Sequence, residues 1–498
     1  MDKKVQTTYP RPKKEILRIM RAADKNGQLL PVILEEFVQH TFSMPALWES
    51  REYFRKLGNE ECVRYPVLFS HLALLSAMTG RLDEARAYVD AMEMALKYQA
   101  AENTIYHEVC RCATEIVMPY TTDIRFLKDV FWLIEHGQVP VANLTLSASR
   151  PGILNGFRDF TRFGRYLEKY KDVITDTIEK LYGNAGKSVY EIMLAEWNYQ
   201  KNDCFRALVL VTGTIPLIEQ EQDMRCLFVA LALQMKILIV NGQTKAAGPL
   251  VIKIRDRIHK TGWEELNTSL DALECLAACY DGRQEEVTEW LEHVAPDENH
   301  ELYMMDVYAY LVKIRCYIQT GKYMVAHVLV QQLTVLLQQG NRPMDLCECY
   351  MLSAVICYKV NDEDRMFTEL SKALEIAKKR QYIRLLADEG SCMAQMIFAY
   401  QKKYGTDGFT DKIMQFAAEV GRHFPDYLKS PIEYYEPLTK TEEAVLRLMG
   451  QGMSNSEIAD ILGKKTGTVK FHSNNIFKKF DVTNRQQSVN LGREIGLL

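Results

Sequence analysis

Four hundred and ninety-eight residues exceed what one ordinary core organises, so two or more domains are expected. Hydrophobic residues at 47% and charged residues at 25% exclude wholesale disorder, and 26 glycines with 15 prolines argue against a loop-rich all-β chain. The net charge of −4 divides unevenly: residues 438–498 carry nine Lys and Arg against six Asp and Glu, and the remainder carries 52 against 59. A slightly basic tail on an acidic body is compatible with nucleic-acid binding confined to the C-terminus.

Taken from the start, Met1 to Pro10 has no apolar run behind its lysines, so no secretory signal is expected. Residues 1–60 read as an N-terminal helical segment and 61–423 as one long helical body. Cys226 to Met235, the longest mainly apolar stretch and broken only by Gln234, ends at Lys236 and is too short for a membrane span. The expectation is a cytoplasmic protein with no membrane partner, its twelve cysteines reduced and filling core sites. Cys110 and Cys112, like Cys347 and Cys349, stand two apart and point to nearly opposite sides of a helix. Cys275 and Cys279 share a face, but that helix reads as core and no histidine is near. No metal is expected.

A phrase recurs through the body: a Gly or Asn stops one helix and a small residue follows five positions later. It reads Gly80 with Ala85, Asn202 with Ala207, Gly242 with Ala247, Gly282 with Val287 and Gly321 with Ala326. Asn361 continues the series with the bulkier Met366. The turn residues from 202 onward lie 39 or 40 apart. Gly and Asn tolerate the left-handed conformation that ends a helix, and the small residue lets the next helix pack close. A period near 40 predicts an all-α solenoid of helix pairs, each burying its apolar face on its neighbours. Phrases such as Gly80 to Tyr88 resemble tetratricopeptide-like repeats.

Between Tyr120 and Gly183 the register is lost, and Ser147 to Phe160 is the most loop-like stretch of the body. Arg150, Asn155 and Asp159 are candidate effector contacts there, against the reading of a plain connection between two solenoid halves. Gly183 to Ser188 ends like a phosphate-binding loop, but Leu181 stands where the first glycine is needed. No nucleophile elbow, metal-ligand spacing or paired-carboxylate motif is present, so neither catalysis nor a cofactor is expected.

Pro425, Pro431 and Pro437 mark residues 424–437 as a linker. Behind it, residues 438–498 hold three candidate capping boxes: Thr439 with Glu442, Ser454 with Glu457, and Thr483 with Gln486. Val469, His472, Ile476 and Phe480 recur at helical spacing as an inner stripe. Four short helices, the second and third joined by a tight turn at Gly463, form a helix-turn-helix unit.

On these residues, with Leu438, Val445, Leu446, Gly452, Asn455, Ile458, Ala459, Leu462, Thr468, Lys470, Asn475, Lys479, Val482 and Arg485, the tail resembles the LuxR-type (GerE-like) DNA-binding domain of bacterial transcription regulators. The whole chain resembles regulators of the MalT type, in which a helical-repeat sensor precedes such a domain. Large members of that group begin with an ATP-binding module; this chain has no room for one and no matching motif. Lys465 stands where the family usually has a capping serine, which predicts that Thr466 caps the recognition helix one residue later.

With the inner stripe turned to the core, Lys470, Phe471 and Asn474 are placed to read guanine, thymine and adenine edges. Lys464, Lys465, Thr468, Asn475 and Lys478 are placed for phosphates. His472 reads as a packed core residue. Val489, Gly492 and Ile495 offer a narrow apolar strip for a homodimer on an inverted-repeat site, the helix that the resemblance also implies as dimer contact. The expected function is a transcription regulator binding double-stranded promoter DNA, controlled by a small-molecule or protein effector and acting with RNA polymerase. The alternative is an interaction scaffold whose tail no longer binds DNA.

Overall fold

The computed structural model describes residues 13–39, 42, 44–97, 104–136, 150–182, 186–299, 301–429, 438–480, 482–494 and 497–498. All regular structure among them is helical; the only pairing of extended backbone is one bridge between Asn155 and Asp159. No helix among the described residues is long and apolar enough to cross a membrane.

The turn phrase is the structural repeat. Gly80, Asn202, Gly242, Gly282, Gly321 and Asn361 all take positive φ, between 61° and 76°. At each, the next amide reaches back five residues, as Gln243 N–H does to the Leu238 carbonyl (2.9 Å) and Asp362 N–H to that of Cys357 (2.9 Å). The residue five positions on is buried in every case, Met366 included. These turns close the helix pairs α1 Val67–Met78 with α2 Leu82–Lys97, α3 Gly186–Gln200 with α4 Cys204–Glu221, and α5 Met224–Val240 with α6 Thr244–Thr261. They continue as α7 Asn267–Tyr280 with α8 Gln284–His293, α9 Val307–Gln319 with α10 Tyr323–Gln339, and α11 Pro343–Lys359 with α12 Glu363–Arg380. The last long helices of the body are α13 Gly390–Tyr404 and α14 Gly408–His423.

First helices of each pair are buried almost all round, whereas second helices bury one face. Cys226 to Met235 lies inside α5, nearly all of it below the surface. Cys275 and Cys279 of α7 meet a third thiol that the sequence kept apart: Cys316 of α9, one repeat later, lies 3.4 and 3.5 Å away.

From Arg150 on, the irregular stretch is not an outer loop. Arg150, Asn155 and Asp159 are all buried, and their polar atoms are spent on the protein. Arg150 pairs with Asp345 (2.5 Å) and Glu348 (2.6 Å). Asn155 donates to Asp345 (2.8 Å) and accepts from Arg342 (2.7 Å), and Asp159 accepts from the Met344 amide (2.9 Å). The fully buried Arg342 also donates to the carbonyls of Gly156 and Phe157. A loop reaching the interior must satisfy its backbone there: Arg342, just ahead of α11, takes those carbonyls and Glu196 of α3 the amides of Ile153 and Leu154. Of the phosphate-loop lookalike, Gly183 lies outside the described residues and the Ser188 hydroxyl donates to Glu221 (2.8 Å).

The ion pairs run on through the body. Glu348 pairs with Arg315 (2.8 Å), Arg315 with Glu389 (2.5 Å), and Glu389 accepts from the Tyr427 hydroxyl (3.0 Å). Phe424, Tyr427 and Leu428 are buried, Tyr427 against the Tyr280 ring at 4.2 Å. The stretch expected as linker therefore begins as part of the body: its aromatic side chains fill the end of the core, and Pro425 does not prevent that. Residues 430–437 lie outside the described residues.

Candidate nucleic-acid interface

Four helices follow: α15 Lys440–Gly450, α16 Asn455–Leu462, α17 Thr466–Lys479 and α18 Arg485–Glu494. Two of the three capping boxes form where the sequence places them. Thr439 and Glu442 exchange bonds of 2.8 and 3.3 Å, and Ser454 and Glu457 bonds of 2.7 and 3.4 Å. The third moves one residue on, because Asn484 accepts from the Gln487 amide (2.9 Å) and Gln487 from that of Thr483 (3.0 Å). Gly463, in the left-handed conformation, ends α16 and turns the chain into α17.

Val469, Ser473, Ile476 and Phe480 bury the inner face of α17. His472 is displaced from that stripe: it is half-buried at the edge, with its Nδ1 shielded and unpaired. Ser473 takes the place because its small side chain fits beside Met449 and its hydroxyl bonds back to the Val469 carbonyl (2.9 Å). Opposite, Lys470, Phe471, Asn474 and Lys478 are exposed. The i, i+4 spacing sets Lys470, Asn474 and Lys478 along one ridge. Phe471 stands 62% exposed beside them, a large apolar ring left in water. Lys464 and Lys465 are exposed at the turn, while Thr468 and Asn475 are half-buried.

The start of α17 differs from expectation. Thr466 is already helical and does not cap; Lys465 holds the cap position in extended conformation with no side-chain bond. Lysine has no acceptor to offer, so the cap side chain meets none of the first amides of the helix. Such a terminus between two lysines suits an anion.

Two residues that hold the helix in place carried no role in the sequence reading. Lys479 pairs with Glu442 (2.9 Å), tying the end of α17 to the first turn of α15. Partial burial pushes the Glu442 carboxyl up, but the Thr439 amide and the Lys479 ammonium outweigh it and hold it below its ordinary range. Arg485 donates to the carbonyls of Met449 (3.2 Å) and Met453 and to Asn455 (3.4 Å), locking α18 under the turn between α15 and α16.

Residues 436–491 match the family of bacterial regulatory proteins of the luxR type, and residues 182–403 match the MalT-like TPR region. A LuxR-family domain thus follows a MalT-like repeat region. The curated relatives include the HTH-type transcriptional regulator MalT of Serratia proteamaculans, 25% identical over 198 residues, 36% of this chain and 22% of that protein. MalT of Yersinia enterocolitica is 23% identical over 192 residues, 35% of this chain and 21% of that protein. The response regulator protein VraR of Staphylococcus saprophyticus is 40% identical over 74 residues, 15% of this chain and 35% of that protein. The alignments thus span between about a fifth and a third of these relatives.

The LuxR-type domain keeps part of the expected dimer strip for itself. Val489 is buried in its core, and a Cβ at Gly492 would stand 2.9 Å from Leu446 and 3.2 Å from Leu498. Both face inward because four short helices need every apolar position of α18 to close their core. Ile495 lies outside the described residues. What α18 exposes instead is polar: Gln486, Gln487, Asn490 and Arg493.

Proposed function

We propose that the chain is a DNA-binding transcriptional regulator in which α17 of the LuxR-type domain enters the major groove of promoter DNA. The observation that carries this is the exposed ridge of Lys470, Phe471 and Asn474 on a helix whose other face is pinned by Val469, Ser473, Ile476 and Phe480. Lys470 donates to guanine, Asn474 pairs with adenine and Phe471 meets a thymine methyl. Lys464, Lys465, Lys478, Thr468 and Asn475, with the uncapped amides of α17, take phosphates.

The repeat body acts as the sensor, for a small molecule or a protein. The ion-pair path from Arg150 through Glu348, Arg315 and Glu389 to Tyr427 supports this, since Tyr427 is among the last buried residues before the DNA-binding domain. RNA polymerase is the partner through which such a regulator acts.

Selection of DNA from a random pool by the full chain tests the reading. A recurrent motif is expected, bound less tightly by Lys470→Ala by about 1–3 kcal/mol, roughly fivefold to 150-fold, with unchanged helix content. Lys464→Ala weakens all sequences alike and lowers the salt slope by about one unit. A pool that yields no motif, with wild type and Lys470→Ala indistinguishable, rejects the proposal in favour of an interaction scaffold.

A further inference from the structure

The loop at 150–161 roofs a cleft of about 70 Å³ among the first helices of successive repeats, partly open to solvent. Its walls include Trp197 of α3, Leu233 of α5, Leu273 of α7 and Met344 of α11, an apolar lining of the kind that holds a ring-sized ligand. Two polar atoms in that lining are stranded. Gln200 and Tyr308 are each 7% exposed, and neither the Gln200 Oε1 nor the Tyr308 hydroxyl has a hydrogen-bond partner. Buried polar atoms are nearly always paired, so two orphans at one cleft mark where a ligand's polar groups belong.

Lys236 of α5 adds a charge to the same wall. Its ion pair with Asp388 is 3.6 Å long, beyond hydrogen-bond reach, and Asp388 is already held by Tyr199 (2.5 Å) and Arg384 (2.6 Å). The ammonium therefore has donors to spend, whereas the charge of Arg150 is matched by Asp345 and Glu348. The acid in the lining is Glu196, whose carboxyl burial pushes up to about 7 against the pull of the Leu154 and Ile153 amides and Arg150. Near neutrality it opposes an incoming anion only in part.

We infer that the cleft binds a small organic acid: an apolar ring between Trp197 and Met344, a carboxylate on Lys236, and a hydroxyl or amine donating to Gln200 Oε1. Gln200 Oε1 can only accept, so the ligand must carry a donor. This rests on the reading of the body as a sensor, and it names the class of molecule sensed.

Calorimetry and thermal shift of the full chain without DNA test it at pH 7, with a series of hydroxyphenyl- and aminophenyl-alkanoic acids and their uncharged alcohols. At least one acid is expected to bind and to raise the melting temperature, with its alcohol tenfold or more weaker. Lys236→Met removes the preference for acid over alcohol. Gln200→Met raises the melting temperature of the ligand-free chain, since an unpaired oxygen is removed, yet loses stabilisation by the acid; a merely structural glutamine would not divide in this way. No binding across the series, equal binding of acid and alcohol, or an unchanged preference in Lys236→Met would overturn the inference. DNA selection runs separately: a motif recovered without acid binding fails the cleft alone, and acid binding without a motif fails the regulator alone.

Discussion

Glu196 sits under the backbone of the buried loop, accepting from the amides of Ile153 (2.9 Å) and Leu154 (2.8 Å). Burial raises its carboxyl to about 7, so the folded chain holds a proton between pH 4.5 and 7 that the unfolded chain releases. Stability from this group is therefore lost as pH rises through that window, by roughly 1–2 kcal/mol given its partial contact with solvent. Glu196→Gln is expected to flatten the urea midpoint of the chain between pH 5 and 7 relative to wild type; parallel curves would refute the assignment. At this scale, sequence patterning resolves faces better than single positions. The outer residues Lys470, Phe471 and Asn474 were legible because charge and amide on one helical face need no partner to be recognised. His472 and Ser473 were not, since both fit a spacing of three to four and only the Met449 contact decides between them. Val489 and Gly492 pose the same ambiguity, since an apolar strip does not say whether its partner is another copy or its own core, and in the fold both face the core.

The helix ends form a second series that the sequence concealed. Gln222, Gly262, Asn341 and Gln381 all take positive φ, from 48° to 72°, where second helices turn into the next pair. They stand 40, 79 and 40 residues apart, one place of the period being skipped, and two of the four are glutamine, which is no signature of the left-handed state, so this series is harder to read than the first. A non-glycine there costs about 1–2 kcal/mol. Gln222→Gly is thus expected to stabilise the chain by about 1 kcal/mol. Gly262→Ala, whose new Cβ would meet nothing within 4 Å, should cost about the same through conformation alone. Denaturant midpoints at constant slope measure both, and equal midpoints for all three chains would contradict this account of the turns. The body's fold class was legible because the repeat prints its turn and its close-packed small residue at each period.

On the scale of the whole molecule, Asp345 matters most among the buried charges, because it holds both Arg150 and Arg342 beneath the surface. Removing it strands two cations, so Asp345→Ala is expected to destabilise the chain by about 3–5 kcal/mol, far beyond an average core truncation of similar size. Asp345→Ala within 1 kcal/mol of wild type would show that the network carries no such weight. No local pattern foreshadows this, since the loop and its counter-charges lie nearly two hundred residues apart.

That separation changes what kind of array the body is. In an open solenoid each repeat touches only its neighbours, so stability adds up along a line and unfolding can start at either end. Here Arg158 reaches back to the carbonyls of Ile116 (3.1 Å) and Thr121 (2.9 Å), Asn341 reaches Pro119 (2.9 Å), and Trp48 stacks on Tyr303 at 4.6 Å. The loop fastens distant rungs of the ladder to one another, and the line becomes a circuit. Fraying from one end cannot proceed without breaking the clasp at Arg342, so the early helices and α11 should lose their amide protons to deuterium as one cooperative unit.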